Sequence, residues 1–188
     1  MMDKKISILN SSQIWVFCVA VVFFISCGGG SFKSGQKDGW WTEKYNNGHT
    51  SSEGKYDKGI KVGEWKEYYP DGVLEFQINY NDEGIKHGDW KSFHKNGKLK
   101  KEGIYQNGGE EGKWVEYHEN GETAIEKNYK NDKKIGTWTW YHPNGKVSQK
   151  GQYGGYKRIG KWTFFDPAGR LIKEEFYENG KLLESKDH

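Results

Sequence analysis

Four columns of residues recur through this chain at a nearly fixed step, and that period constrains the fold more than anything else in the sequence. An opening glycine stands at Gly39, Gly63, Gly88, Gly112, Gly136 and Gly160, with steps of 24, 25, 24, 24 and 24 residues. Two places later comes a tryptophan: Trp41, Trp65, Trp90, Trp114, Trp138 and Trp162. Nine places after the opening glycine stands a second glycine, from Gly48 to Gly169, and seventeen places after it a tyrosine: Tyr56, Tyr80, Tyr105, Tyr129, Tyr153 and Tyr177. Self-similarity of this kind is the mark of a repeat architecture, in which each unit buries its apolar side only against its neighbours.

Within each copy two β-prone runs flank a turn dipeptide: Asn47-Gly48, Asp71-Gly72, Asn96-Gly97, Asn120-Gly121, Asn144-Gly145 and Ala168-Gly169. Asn-Gly and Asp-Gly are hairpin signals suited to type I′ turns. Pro70, Pro143 and Pro167 sit just before the pair, where a strand ends. A two-residue turn sets Trp138 against Gly151, Gly136 against Tyr153, Tyr141 against Ser148 and His142 against Val147. On that register Trp138 covers Gly151 and Tyr153 closes over Gly136, since a cross-strand aromatic stabilises a strand glycine. Trp41 and Trp90 face Gly54 and Gly103 in the same way; the remaining three face Ile78, Lys127 and Glu175.

Alternation puts Trp138, Trp140 and Tyr153 on an aromatic side and Thr137, Thr139, Ser148 and Lys150 on a polar one, with Tyr141 as the exception. An antiparallel sheet packed on one side reads this way. No segment after residue 30 has a 3.6-residue apolar stripe, so no helix is expected to cover the sheet. The expected fold is all-β: an elongated single-layer antiparallel sheet of six consecutive hairpin repeats over residues 39–183, with a polar tail at 184–188.

The first thirty residues are of another kind. Lys4 and Lys5 precede Ile14–Ile25, an almost unbroken apolar run. Twelve residues of helix span about 18 Å, short of the roughly 30 Å bilayer core. A basic start and a short apolar run make a secretory signal peptide, forming a signal helix over residues 1–26. Phe24-Ile25-Ser26-Cys27 resembles a bacterial lipobox, with Phe24 in place of the usual leucine. That resemblance implies cleavage before Cys27, lipidation of Cys27, and a protein held on the bacterial cell envelope, the outer membrane ahead of the inner in a Gram-negative cell. Residues 27–38, rich in Gly, Ser and Lys, read as a flexible tether. The chain has two cysteines, Cys18 and Cys27, both before the repeats, so no disulfide staples the fold.

The pattern Gly-x-Trp-x-x-Tyr…Asn-Gly-Lys-Leu…Gly-x-Tyr…Asn-Gly, seen in Gly88–Tyr105 and Gly112–Tyr129, resembles the MORN-variant repeat. The resemblance covers the repeat region and implies an elongated antiparallel sheet of successive hairpins. Many bacterial relatives are described as antitoxin components of toxin–antitoxin modules, and others are envelope lipoproteins with no assigned task. The family brings no catalytic residues.

The residues themselves hold little chemistry. His94, His118 and His142 form a column, but equivalent places lie two strands, or about 9.6 Å, apart, a poor fit to one ion. Tyr45, Tyr69 and Asp166 occupy the same column, so a structural role is expected there, with no metal and no cofactor. No nucleophile elbow or phosphate loop is present, which argues against an enzyme. With 29 Lys+Arg balanced by 26 Asp+Glu, no basic field points to nucleic acid. The Trp and Tyr columns are expected to be structural, and the aromatics beyond them, Trp40, Trp140 and Phe164, are candidates for partner binding. The expected function is a membrane-anchored, non-enzymatic scaffold for protein–protein contact. A glycan- or cell-wall-binding aromatic module, and an antitoxin-like protein that neutralises a partner toxin, are the alternatives.

Overall fold

The computed structural model describes residues 29–188. The signal peptide expected at residues 1–26, its helix and Cys27 lie outside the described residues. All regular structure described is β. In chain order the strands are β1 (Ser31–Lys33), β2 (Gln36–Lys44), β3 (Thr50–Asp57), β4 (Ile60–Tyr68) and β5 (Leu74–Tyr80). They continue as β6 (Lys86–Phe93), β7 (Leu99–Gln106), β8 (Gly109–Tyr117), β9 (Thr123–Lys130) and β10 (Lys133–Tyr141). The last four are β11 (Val147–Gly154), β12 (Lys157–Phe165), β13 (Leu171–Glu178) and β14 (Lys181–Asp187). They form one antiparallel 14-stranded sheet whose spatial order is the chain order, so every strand pairs only with its sequence neighbours.

The sheet is longer than expected at both ends. Gly30 and Phe32 precede Gly54 and Tyr56 by one period of 24, and they act as their counterparts. Phe32 meets Trp41 edge-on at 5.0 Å, and a Cβ on Gly30 would overlap the Trp41 ring. The stretch read as a tether, 27–38, therefore contains the second half of a preceding repeat. The tail read at 184–188 belongs largely to β14, the first strand of a further unit.

The hairpin register near the Trp column is the expected one: Trp138 pairs Gly151 and Gly136 pairs Tyr153. Near the turn it is not, because Tyr141 pairs Val147 across a register shift. The turn itself is the reason. Gly145 N–H donates to His142 O at 2.9 Å, and in this loop only Gly145 (φ +77°) takes a positive φ. This is a type I turn followed by a left-handed glycine, a three-residue loop with a bulge, and not type I′. Pro143 suits the second position of a type I turn. Asn144 accepts from Lys146 N–H at 3.1 Å and donates its amide to Pro167 O of the next repeat at 2.8 Å. Its side chain, and not a left-handed backbone, is what the loop uses.

True type I′ geometry occurs at the opposite end of the strands, between repeats. Lys58-Gly59, Asn107-Gly108, Asn131-Asp132 and Asn179-Gly180 have positive φ at both residues. The single 25-residue step is absorbed here: Asn81–Gly84 replaces a two-residue turn with the longer loop, closed by Gly84 N–H to Asn81 O at 3.0 Å.

The opening glycines do not start strands; they lie inside them. Gly136 has φ +60° within β10, and the pairing of β10 with β9 slips between Lys134 and Thr139. The same slip flanks Gly63, Gly112 and Gly160. A bulge of this kind bends a strand and sharpens its twist. Repeated from copy to copy, it strengthens the twist of a single layer on whose aromatic face Trp114 and Trp162 are fully buried.

Candidate interaction surface

Three rows of side chains cross the strands on the aromatic face. The central row holds the Trp column. Trp41, Trp65, Trp114, Trp138 and Trp162 are each no more than 3% exposed and make up most of the buried core. Between them stand Gly54, Ile78, Gly103, Lys127 and Gly151. The expected cover for Gly151 was Trp138, its partner within the hairpin. The indole that occupies the space is Trp162, from the next repeat. Trp65 over Gly54 and Trp114 over Gly103 repeat the arrangement. A side chain leans along its strand as well as standing up from it, so Cα pairing alone does not name the contact.

The Tyr column forms a second row. Tyr153 does not close over Gly136, around whose Cβ position nothing lies within 4 Å. It meets Trp138 at 4.9 Å and Trp162 at 5.1 Å, both edge-on. Tyr56, Tyr105, Tyr129 and Tyr177 meet neighbouring indoles in the same T-shaped way. Cations alternate with tyrosines along this row: Tyr56 pairs Lys61, Tyr80 pairs Lys86, Tyr129 pairs Lys134 and Tyr153 pairs Arg158. They lie over the rings, Lys61 at 4.2 Å from Trp65 and Arg158 at 4.2 Å from Trp162. Glu110 breaks the pattern, and Lys101 restores it by binding Glu110 at 3.2 Å while lying 4.5 Å over Trp114. Each of the five buried indoles is thus closed by at least one tyrosine ring and a cation, which favours its electron-rich face.

The third row, two residues further along each strand, is where the copies differ. In order it reads Glu43, Ser52, Glu67, Phe76, Ser92, Lys101, Glu116, Ile125, Trp140, Gln149, Phe164 and Lys173. It opens acidic and becomes apolar and aromatic. Lys37 binds Glu43 at 2.5 Å, and this bond holds the Glu43 carboxyl below its ordinary range, against the opposing effect of burial. At the other end Trp140 packs 5.7 Å from both Trp138 and Trp162 and stays half-buried, as does Phe164. Trp140 and Phe164 both flank Gln149, so the structure brings these two candidates together. Trp40 is not with them. It lies on the opposite face at the far end, 57% exposed.

That opposite face is polar and internally bonded. Tyr68 donates to Glu53 at 2.6 Å, Tyr117 to Glu102 at 2.6 Å and Tyr141 to Glu126 at 3.0 Å. This explains why Tyr141 interrupts the alternation: it has a carboxylate to meet. Where the hydroxyl is missing the carboxylate is missing too, since Phe93 goes with Gln77 and Phe165 with Lys150. Burial, followed by the Glu102 hydrogen bond, pushes the Tyr117 phenol up to about 12.

The histidine column is bonded along the turn edge. His94, His118 and His142 direct Nε2 to Tyr117 O, Tyr141 O and Phe165 O at 2.9, 3.0 and 2.9 Å. A carbonyl only accepts, so Nε2 carries the proton. Tyr45 and Tyr69 make the equivalent bond with their hydroxyls, to Tyr68 O and Phe93 O. Among the described residues no group of three or more His, Cys, Asp or Glu is placed to hold a metal ion.

The third row has no periodic signal of its own, so nothing in the sequence marks Phe76, Ser92 and Ile125 as belonging with Trp140 and Phe164. Comparison with known families gives one match, to the MORN repeat variant, over residues 61–82, 86–107, 110–131, 134–153, 158–179 and 172–186. The last of these takes in β14. No curated protein matches the chain.

Proposed function

The chain belongs to the MORN repeat variant family, and from that membership we propose that it is a scaffold whose third row docks a partner protein. Repeats of this family are non-catalytic and mediate protein–protein or membrane contacts. The observation that carries the reading is the contrast between rows. The Trp and Tyr rows are consumed in holding neighbouring repeats together, whereas the row from Ile125 through Trp140 to Phe164, interrupted by Gln149, is half-buried and differs from copy to copy. Trp and other aromatics are the favoured anchors of protein contacts, and they dominate binding when they fill a partner's pocket.

In this reading the scaffold stands on the bacterial cell envelope, anchored through lipid on Cys27. A photo-crosslinking residue in place of Gln149, between the two aromatics, tests the docking in intact cells. A discrete adduct that disappears on Trp140→Ala with Phe164→Ala, in a variant of unchanged far-UV circular dichroism, is expected. No adduct, or one indifferent to both substitutions, overturns it. Cys27→Ser is expected to move the protein from the membrane to the soluble fraction.

A further inference from the structure

Trp90 is the one member of the Trp column that is not buried. Two departures from the repeat pattern, side by side, account for this. Where Gly54, Gly103 and Gly151 let the next indole lie flat on the strand, the residue before Trp90 in the row is Ile78. Ile78 is itself only 3% exposed and fills the space the indole would take. Trp90 instead leans toward Trp114, with ring centroids 5.6 Å apart. Lys127, in the same row before Trp138, also replaces glycine, yet Trp138 is buried because Trp140 lies beside it. In the copy that contains Trp90 the residue equivalent to Trp140 is Ser92, and a serine covers nothing.

The result is an open groove of about 460 Å³, within the roughly 300–1,000 Å³ of ordinary small-molecule sites. Phe76 and Trp90 give it aromatic walls. Ser92, His94, Lys101 and Glu116 supply a hydroxyl, an imidazole, an ammonium and a carboxylate. The lining charges cancel: Lys101 binds Glu110 at 3.2 Å, Glu116 pairs with Lys127, and Glu75 and Lys100 add one charge of each sign. A ligand of either charge would therefore meet an unfavourable group for each favourable one. A purely apolar ligand would strip water from these polar side chains and give nothing back. A neutral, polyhydroxylated ring meets both conditions, with its C–H face on the aromatic walls and its hydroxyls on polar groups that both donate and accept.

We propose that the groove between Phe76, Trp90, Ser92 and Glu116 binds an uncharged saccharide. The site is separate from the protein-docking stretch at Trp140 and Phe164, and either can fail without the other.

The test uses the full chain in detergent, with cellotetraose, maltotetraose and tri-N-acetylchitotriose as probes and tetragalacturonate as the charged control, read by isothermal titration calorimetry and saturation-transfer NMR. Binding of at least one uncharged probe, with Kd between about 10 µM and 1 mM, is expected. Ser92→Trp installs the residue that the same column holds at Trp140, and should weaken that binding at least about tenfold by filling the gap. Trp140→Ala should leave it unchanged. If Ser92→Trp does not fold, Phe76→Ala takes its place, with the same loss expected. No uncharged probe bound at millimolar concentration, an affinity indifferent to the groove substitution, or tighter binding of tetragalacturonate each overturns the proposal.

Discussion

The indole of Trp162 lies over Gly151, although the residue paired with Gly151 inside its own hairpin is Trp138. The glycine is thus a contact between repeats rather than within one, and the pairs Trp65 with Gly54 and Trp114 with Gly103 make the same joint at other boundaries. In a linear array the terms that couple neighbours decide whether it unfolds as a whole or repeat by repeat.

Gly151→Ala should therefore cost about 1–3 kcal/mol, the range for overpacking a filled site. Its double-mutant cycle should show coupling with Trp162→Phe and near-additivity with Trp138→Phe. Urea unfolding of the parent, the three single and the two double variants measures this; coupling to Trp138 instead would return the contact to the hairpin's own pair.

Gly136 is required for a different reason. It has φ +60° and open space around it, so conformation and not room forbids a side chain. Gly136→Ala should cost about 1–2 kcal/mol, and Gly136→Asn less, because asparagine tolerates the left-handed region. At Gly151 the order should reverse, with the larger asparagine worse. Thermal unfolding of the four proteins reads the two orders directly.

The Tyr117 hydroxyl should protect the fold up to alkaline pH. Its pKa, about 10 in an unfolded chain, is pushed up to about 12 by burial and then by Glu102. A group raised in the folded state contributes stability that is fully present below pH 10 and is lost as pH rises toward 12. Tyr68 and Tyr129 are shifted the same way, so stability should fall through this window. Tyr117→Phe should cost about 1 kcal/mol at pH 7 and make the alkaline fall shallower, as followed by urea midpoints against pH.

The histidine column should accept tyrosine. His118 bonds Tyr141 O at 3.0 Å, and Tyr45 and Tyr69 already make that bond in other copies. His118→Tyr should stay within about 0.5 kcal/mol of the parent, while His118→Phe loses about 0.5–1.5 kcal/mol with the hydrogen bond. Added zinc should shift neither melting temperature.

Much of this fold is legible in the sequence, because a repeat fixes which residues are equivalent. The columns follow from the period, the hairpin partner of every Trp from the period and the turn together, and the two faces from alternation. What the period does not carry is direction. Trp138 and Trp162 both neighbour Gly151, and only the lean of the side chains decides which one covers it. The turn at Asn144-Gly145 misleads for a related reason: the dipeptide suits type I′, but Pro143 ahead of it favours a type I turn, and the asparagine is used through its side chain. Gly30 and Phe32 were discernible at one period before Gly54 and Tyr56, but the Gly- and Ser-rich composition around them reads as a linker. The candidate surface was half visible. Trp140 and Phe164 stand out as extra aromatics, whereas the groove at Trp90 arises from what Ile78 adds and Ser92 omits.

Because the spatial order of the strands is their order in the chain, the protein works as a ruler. Excising one period, such as residues 112–135, would bring Gly136 to the position of Gly112 and rejoin equivalent strands with no seam. The sheet would be shorter by two strand spacings, about 9.6 Å. Distance along the row is therefore written in whole repeats, and the separation between the acidic end at Glu43 and the aromatic end at Phe164 can change by gain or loss of a unit without redesign of any contact.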